Sequence, residues 1–249
     1  MRKKILIFFC FFLTCCTSAV NSKNIHHPPT KNFVKLFKEM EITRCEKVTK
    51  KCQTKTFHSI GSGLIVDIGT AEVIVLSAGH VCSSEQDVLD DNDTYTYKTI
   101  ETISVLNYEK RFYDAHVIHH NQATKKSSDL CTLYIPYMRQ GDIKQKIRMS
   151  KTPPRIGEDI YYIGAPRGIY HPPTALIVAG IFSGKIDNYS SLVSAPAAPG
   201  ASGSVILSKN NRIYGVLWAV HPGFPTATIT TSYEETYDFL IETKKLMSK

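Results

Sequence analysis

From Phe33 to Thr231 the chain is a succession of short apolar runs, rich in β-branched and aromatic residues and each closed by turn residues. In the first half Phe33-Val34 and Leu36-Phe37 come first, then a predicted hairpin between Cys45 and Cys52. Runs at 62–67, 72–77, 100–106, 113–118 and 129–135 follow. A second set occupies 159–164, 174–179, 180–183, 191–194, 203–207, 212–220 and 226–231. Runs this short and this regularly punctuated predict an all-β sandwich or barrel, not a helical or α/β domain. The polar, basic stretch 139–155, ending Thr152-Pro153-Pro154-Arg155, separates the two sets and reads as a connection. The end of the chain changes character. Ser232 followed by Glu235 is a capping-box signal, and Tyr237, Leu240, Ile241, Leu246 and Met247 recur at helical spacing, so a terminal helix is expected over 233–247.

Of the 249 residues 43% are hydrophobic and 21% charged, an ordinary globular balance that one all-β domain can accommodate. The formal charge of +8 needs a correction, because Arg2, Lys3 and Lys4 stand before the apolar run 5–13. A basic start, a short apolar run and the small residues Thr17-Ser18-Ala19 form a secretory signal peptide, 1–19, too short to span a bilayer. No later run reaches a membrane-spanning length. Leu13-Thr14-Cys15-Cys16 is similar to a bacterial lipobox, which makes lipidation at Cys16 the alternative to simple cleavage. Residues 20–32 are polar and proline-containing and read as a flexible lead-in. Losing the leader lowers the net charge by three, to +5, and the remaining cations are scattered, which argues against a nucleic-acid partner.

Of seven cysteines, four remain outside the leader: Cys45, Cys52, Cys82 and Cys131. An even number in an exported chain points to disulfides. Cys45 and Cys52 can face each other across a hairpin. Cys82 and Cys131 each lie two residues beyond a candidate catalytic residue, His80 and Asp129, so a second bridge follows if those side chains meet; two buried free thiols are the alternative. No spacing suits zinc, and no cofactor is implied.

Three phrases carry chemistry: Leu76-Ser77-Ala78-Gly79-His80, Ser128-Asp129-Leu130 and Gly200-Ala201-Ser202-Gly203-Ser204. A serine hydroxyl needs a base to take its proton, and an imidazole needs a carboxylate to fix its tautomer. Each residue alone reads as structural: a histidine at a strand end, an acidic turn residue, a glycine–serine turn. Together, in the order His, Asp, Ser, they supply base, orienter and nucleophile. Asp114 is the rival orienter, without the polar-to-apolar switch that precedes Asp129. The amides of Gly200 and Ser202 are placed to form an oxyanion hole.

Beyond these phrases, Gly61-Ser-Gly-Leu-Ile-Val66, Tyr162-Ile-Gly-Ala-Pro-Arg-Gly168, Pro199 to Val205 and Gly215-Val216 bring out a family likeness. Over about residues 55 to 235 the chain resembles the trypsin-like peptidases of the chymotrypsin superfamily, most closely the protease domain of periplasmic Deg-type enzymes. The resemblance implies two six-stranded antiparallel β-barrels, about 33–138 and 156–231, with a C-terminal α-helix and the triad in the cleft between them. It implies peptide-bond hydrolysis through an acyl-enzyme, with His80 as base then acid, Asp129 as orienter and Ser202 as nucleophile. Ala201 stands where digestive members have an aspartate that binds a freshly cut N-terminus, so activation by that ion pair is not expected. Val81 stands where the family has a cysteine, and a PDZ domain, usual after the protease in Deg-type enzymes, is not expected here.

The family's pocket floor falls at Pro196, with Leu217, Trp218 and Ala219 as a wall. No carboxylate stands there for arginine or lysine, so small or aliphatic residues are expected before the scissile bond. The expected function is a secreted or periplasmic serine endopeptidase acting on polypeptides; a silent pseudoprotease that binds peptides is the alternative. An α/β-hydrolase esterase is disfavoured by the chain order and by the lack of Gly-x-Ser-x-Gly.

Overall fold

A computed structural model describes residues 27–83, 95–121, 127–139, 143 and 145–248. The expected signal peptide, the lipobox at Cys16 and residues 20–26 of the lead-in lie outside the described residues. Six strands form the first barrel: β1 (Phe33–Glu46), β2 (Cys52–Val66), β3 (Ile74–Ser77), β4 (Tyr95–Leu106), β5 (Phe112–Asn121) and β6 (Leu130–Tyr134). They close in the order β1-β2-β3-β6-β5-β4. β7 (Arg148–Met149), β8 (Asp159–Gly164), β9 (Tyr170–His171), β10 (Thr174–Lys185), β11 (Ser190–Ser194), β12 (Val205–Ser208), β13 (Arg212–His221) and β14 (Phe224–Thr231) follow. Six of them, β8, β10, β11, β14, β13 and β12, pair around a second closed ring, with β9 added to β10 and β7 added in parallel to β13. The chain therefore makes two six-stranded antiparallel barrels and ends in a helix.

Inside the first barrel β3 is buried along its whole length, and Phe33, Leu36, Leu64, Ile74, Leu76, Leu130 and Leu133 exclude solvent. Ile160, Tyr162, Phe182, Val193, Ile206, Tyr214 and Leu217 cluster in the second. Each such side chain contributes about 1.5–3 kcal/mol by leaving water. The connection between barrels is not free: Ile147 is fully buried, its carbonyl accepts from Asp67 N at 2.7 Å, and Arg148 pairs with the Asp67 carboxylate at 2.7 Å.

Two sets of runs merge into longer strands. β1 is one strand across Phe33-Val34 and Leu36-Phe37, and β10 runs unbroken through Gly180, where Ala195 Cβ and Ser194 O lie within 2.6 Å of any added Cβ. β1, β2 and β4 also overrun the barrel. Every residue from Cys52 to Ile60 is exposed, whereas Gly61 to Val66 are all buried. The overrun is a three-stranded finger, and a disulfide joins Cys45 to Cys52 at its tip.

The terminal helix, α2 (Tyr233–Met247), starts where expected, with the Ser232 hydroxyl accepting from Glu235 N. Its buried face differs from the expected one. Thr236, Phe239, Leu240 and Thr243 are buried, while Tyr237, Ile241 and Leu246 are exposed. The reason is hydroxyl pairing: Thr236 bonds Thr231 at 2.7 Å and Thr243 bonds Thr132 of β6 at 3.1 Å. Residues counted as polar thus dock the helix. No helix among the described residues is long and apolar enough to cross a membrane.

α2 also stacks Phe239 on the His119 ring of β5, centroids 4.3 Å apart and 9° from parallel. Burial holds that imidazole below its ordinary value of 6.5; Glu242, 3.8 Å away, opposes the shift and His120 reinforces it. A histidine depressed by folding leaves stability intact above about pH 6.5 and loses it below, because the unfolded chain takes the proton first. Urea unfolding is accordingly expected to show a larger loss of stability between pH 7.5 and 5.5 for the wild type than for His119→Gln. Equal losses would contradict this docking account.

Candidate active site

β3 ends at Ser77, and Ala78 leads into one helical turn, α1 (Gly79–Cys82), whose second residue is His80. β3 and β6 are antiparallel with Ser77 opposite Cys131, so Asp129, two residues before Cys131, arrives beside Gly79. An added Cβ at Gly79 would lie 1.9 Å from Asn121 O and 2.6 Å from Asp129 Oδ1, so only glycine fits. The Asp129 carboxylate is 2% exposed and holds His80 at two points. Oδ1 accepts from His80 N at 2.9 Å, and Oδ2 lies 2.5 Å from Nδ1. The imidazole itself is 41% exposed. Cys82 and Cys131 are bonded to each other, tying α1 to β6 directly behind the pair.

Two further bonds brace the carboxylate. Asn121 Oδ1 accepts from Leu130 N at 2.9 Å, fixing the residue after Asp129. Ser128 Oγ donates to Glu235 Oε2 at 3.2 Å, fixing the residue before it. Glu235 was expected to complete a capping box by returning to Ser232 N, but that N–H bonds Tyr189 O instead. Asp114, the rival orienter, lies on β5 opposite Ser104 of β4.

Ser202 lies in the loop from β11 to β12, held in a sharp path by Gly200 at φ +93° and Gly203 at φ +88°. At Gly203 an added Cβ would be 2.0 Å from Ser62 O and 2.2 Å from Ser77 Oγ, so the loop is pressed against the strand end that carries His80. Gly61 completes the triangulation, because the same position faces Val81 Cγ1 at 2.5 Å and Ser202 O at 3.3 Å. The structure thus brings Ser202 alongside the residues that flank His80.

The residue making this seam is Ser62, the middle of Gly61-Ser62-Gly63. Its N–H donates to Ser202 O at 2.8 Å, and its carbonyl accepts from Ser77 Oγ at 2.8 Å. Its hydroxyl donates to Gly200 O at 2.8 Å and accepts from Ala165 N at 3.0 Å. The Gly-Ser-Gly setting was the only local sign. Pro199 O accepts from Arg167 N at 2.6 Å, and Arg167 adopts φ +52° to reach it. Because a trans peptide points its C=O and N–H in opposite directions, the Gly200 N–H faces away from Arg167. Among the described residues neither that N–H nor the Ser202 N–H is bonded, leaving two donors for an incoming anion.

The pocket residues separate. Pro196 is exposed and its carbonyl accepts from the Tyr162 hydroxyl at 2.6 Å; Trp218 and Ala219 are half-buried on β13. Leu217 is a correction. It is 2% exposed and packs in the second barrel's core, because its main chain, bonded to Gly203 N and Ser204 O, faces the loop and turns the side chain inward.

Residues 61–216, more than half of the chain, match the family described as trypsin-like peptidase domain. The chain belongs to the trypsin-like peptidases. Membership of this family makes it a serine endopeptidase of the chymotrypsin superfamily. Among solved structures it is similar to the Rv3671c protease from M. tuberculosis in its active form, at 15% identity over 86% of this chain and 82% of that one, with a TM-score of 0.55. An inactive serine-to-alanine form of the same protease from M. tuberculosis H37Rv matches at 13% identity, covering 87% and 88% of the two chains, again with a TM-score of 0.55. At such identities the likeness is one of fold. No curated protein sequence matches this peptidase.

Ser62→Ala is expected to leave the buried Ala165 N–H and Gly200 carbonyl each without its partner, at about 1–3 kcal/mol apiece. Denaturant unfolding should register that loss, and kcat/KM should fall at least about tenfold through displacement of the 200–203 loop. An unaltered kcat/KM in a destabilised protein would mean the seam supports the fold alone.

Proposed function

We propose that the protein is an exported endopeptidase that cleaves peptide bonds through an acyl-enzyme on Ser202, with His80 as base then acid and Asp129 as orienter. The two-point hold of the Asp129 carboxylate on His80, with the Ser202 loop stitched beside it, is the observation that carries this reading. With Nδ1–H given to Asp129, Nε2 keeps its lone pair for the serine proton. As Oγ attacks the scissile carbonyl, that proton passes to Nε2 and the oxyanion is met by the N–H groups of Gly200 and Ser202. Each such donor is worth about 2.7–4 kcal/mol in the transition state. The imidazolium then protonates the leaving amine, and water releases the acyl group by the same steps in reverse.

Two corollaries concern control. Ala201 is fully buried, with its N–H bonded to Ala198 O, and offers no carboxylate to a new N-terminus. Activity therefore needs no cut beyond removal of the leader. Export is supported by the leader sequence and by two disulfides, which persist in oxidising compartments. Pro196, Trp218 and Ala219 present no charge, which favours small or aliphatic residues before the scissile bond.

A fluorophosphonate probe is expected to label the leader-free protein and not Ser202→Ala, while Asp129→Asn should reduce kcat by about 10⁴-fold. A folded wild type that resists labelling would point to a peptide-binding module without turnover. In a peptide library, alanyl and valyl sites should be cut faster than arginyl ones; the reverse order would remove the pocket assignment.

A further inference from the structure

A glutamate in the first turn of a helix has two ordinary uses: completing a capping box and opposing the helix dipole. For Glu235 of α2 the first is closed, because the Ser232 N–H already donates to Tyr189 O at 2.8 Å. The second demands no fixed side-chain position, and Glu234, exposed beside it, supplies the same charge. Among the described residues no cation lies within ion-pair distance of the Glu235 carboxylate. Its Oε2 accepts instead from Ser128 Oγ at 3.2 Å, across 107 residues of sequence.

Ser128 and the Asp129 that follows it are both buried. Among the described residues Glu235 is the partner of that hydroxyl, so its loss leaves a buried donor unpaired. Asp129 spends both carboxylate oxygens on His80, one on the main-chain N–H and one on Nδ1. A two-point grip depends on the orientation of the carboxylate plane, and a small turn of the main chain at 128–129 disturbs both bonds at once. On the other side Leu130 N is held by Asn121 of β5. Asp129 thus stands between two anchored neighbours, one tied to β5 and the other to α2.

The anchor on α2 is itself fixed to both barrels. Thr236, the next residue after Glu235, bonds Thr231 of β14 at 2.7 Å, and Thr243 bonds Thr132 of β6 at 3.1 Å. Through Glu235 the carboxylate on the first barrel is therefore referenced to the barrel that carries Ser202.

We propose that Glu235 is a positioning residue of the peptidase reaction: by fixing Ser128 it sets the angle at which Asp129 grips His80, and so makes turnover depend on the docking of α2. The proposal rests on the reading of Asp129 as orienter. Glu235 acts through Ser128 and Asp129, so it bears on the rate of the chemical steps and not on substrate binding.

The test compares Glu235→Ala, Glu235→Gln, Ser128→Ala and the double change Ser128→Ala with Glu235→Ala in peptide hydrolysis. Glu234→Ala controls for the lost first-turn charge. Glu235→Ala is expected to lower kcat by about tenfold or more with KM within about twofold. Glu235→Gln keeps an acceptor oxygen and should restore kcat to within about threefold of the wild type. The double change should lower kcat no more than about twofold beyond the worse single change, as two residues acting through one bond do. Glu234→Ala should stay within about twofold of the wild type.

A readout without turnover is solvent exchange of the His80 main-chain N–H in the Ser202→Ala chain, since Asp129 Oδ1 accepts that hydrogen. Glu235→Ala should speed it at least about fivefold, while the amide of Val193 in the second barrel's core keeps its rate. An unchanged kcat in Glu235→Ala, equal losses in Glu235→Ala and Glu235→Gln, or faster exchange at both amides alike would overturn the positioning role. The last of these would make Glu235 a support of the fold alone. A failed endopeptidase reading shows as a wild type that resists the fluorophosphonate probe, and a failed positioning role as an unmoved His80 amide, so the two are told apart.

Discussion

Ser62 is fully buried on the line where the two barrels meet, and every polar group it owns is bonded across that line or to the strand end beside it. The proposed nucleophile on one barrel and the proposed base on the other require their relative position to be fixed by something stronger than apolar contact, which is non-directional. Hydrogen bonds from one side chain and its own peptide groups supply direction. Burial supplies the penalty for breaking them, because a desolvated donor or acceptor has no water to fall back on. The glycines at 61 and 203 make this possible by letting two main chains approach to distances that any Cβ would forbid. The 200–203 loop and the end of β3 are consequently joined through Ser62.

The opposite wall is braced from farther away. α2 follows the second barrel in sequence but reaches β5 and β6 of the first through His119, Thr132 and Ser128. Two of those contacts lie within three residues of Asp129. A purely apolar helix face would tolerate sliding; matched hydroxyls at Thr236 and Thr243 do not, since any slip leaves buried oxygens unpaired. The helix is therefore part of the support of the carboxylate, and the Cys82–Cys131 bridge is the covalent counterpart on the other side.

Fold class and helix limits were legible because they depend on local pattern: β-rich runs, turn residues, and a serine three residues before a glutamate. Both cysteine pairings were foreseen from spacing, the second only as one of two possibilities. The length of β1 was not legible. Beyond Lys38 it is solvated on both faces in the finger, so Glu39, Glu41, Thr43 and Arg44 leave no alternation to read. The helix face was misjudged because threonine counts as polar when its partner is unseen. At the site, the small residues around His80 and Ser202 announced themselves through the tight turns they permit. Ser62 and Glu235 gave no comparable sign, since their partners lie 138 and 107 residues away and only folding joins them. Leu217 was misplaced for the same reason: its neighbour in sequence is half-buried, and the main-chain bonds that turn it inward are long-range.

These features bear together on how the enzyme selects what it cuts. Around Ser202 the side chains offer little discrimination: Pro196, Ala197, Ala198 and Pro199 carry no charge and reach a short way. Main-chain groups, in contrast, are rigidly placed: the amides of Gly200 and Ser202 are unbonded among the described residues, and Ser62 fixes the loop that carries them. Such groups read conformation, because they are satisfied only by a chain whose own amides and carbonyls are available. The seam that holds the Ser202 loop is the inner end of β2, so a strand that lines the first barrel also positions the candidate site. Lengthening β1 and β2 past the barrel leaves the contacts of Ser62, His80 and Asp129 untouched, because the exposed finger begins beyond Gly61.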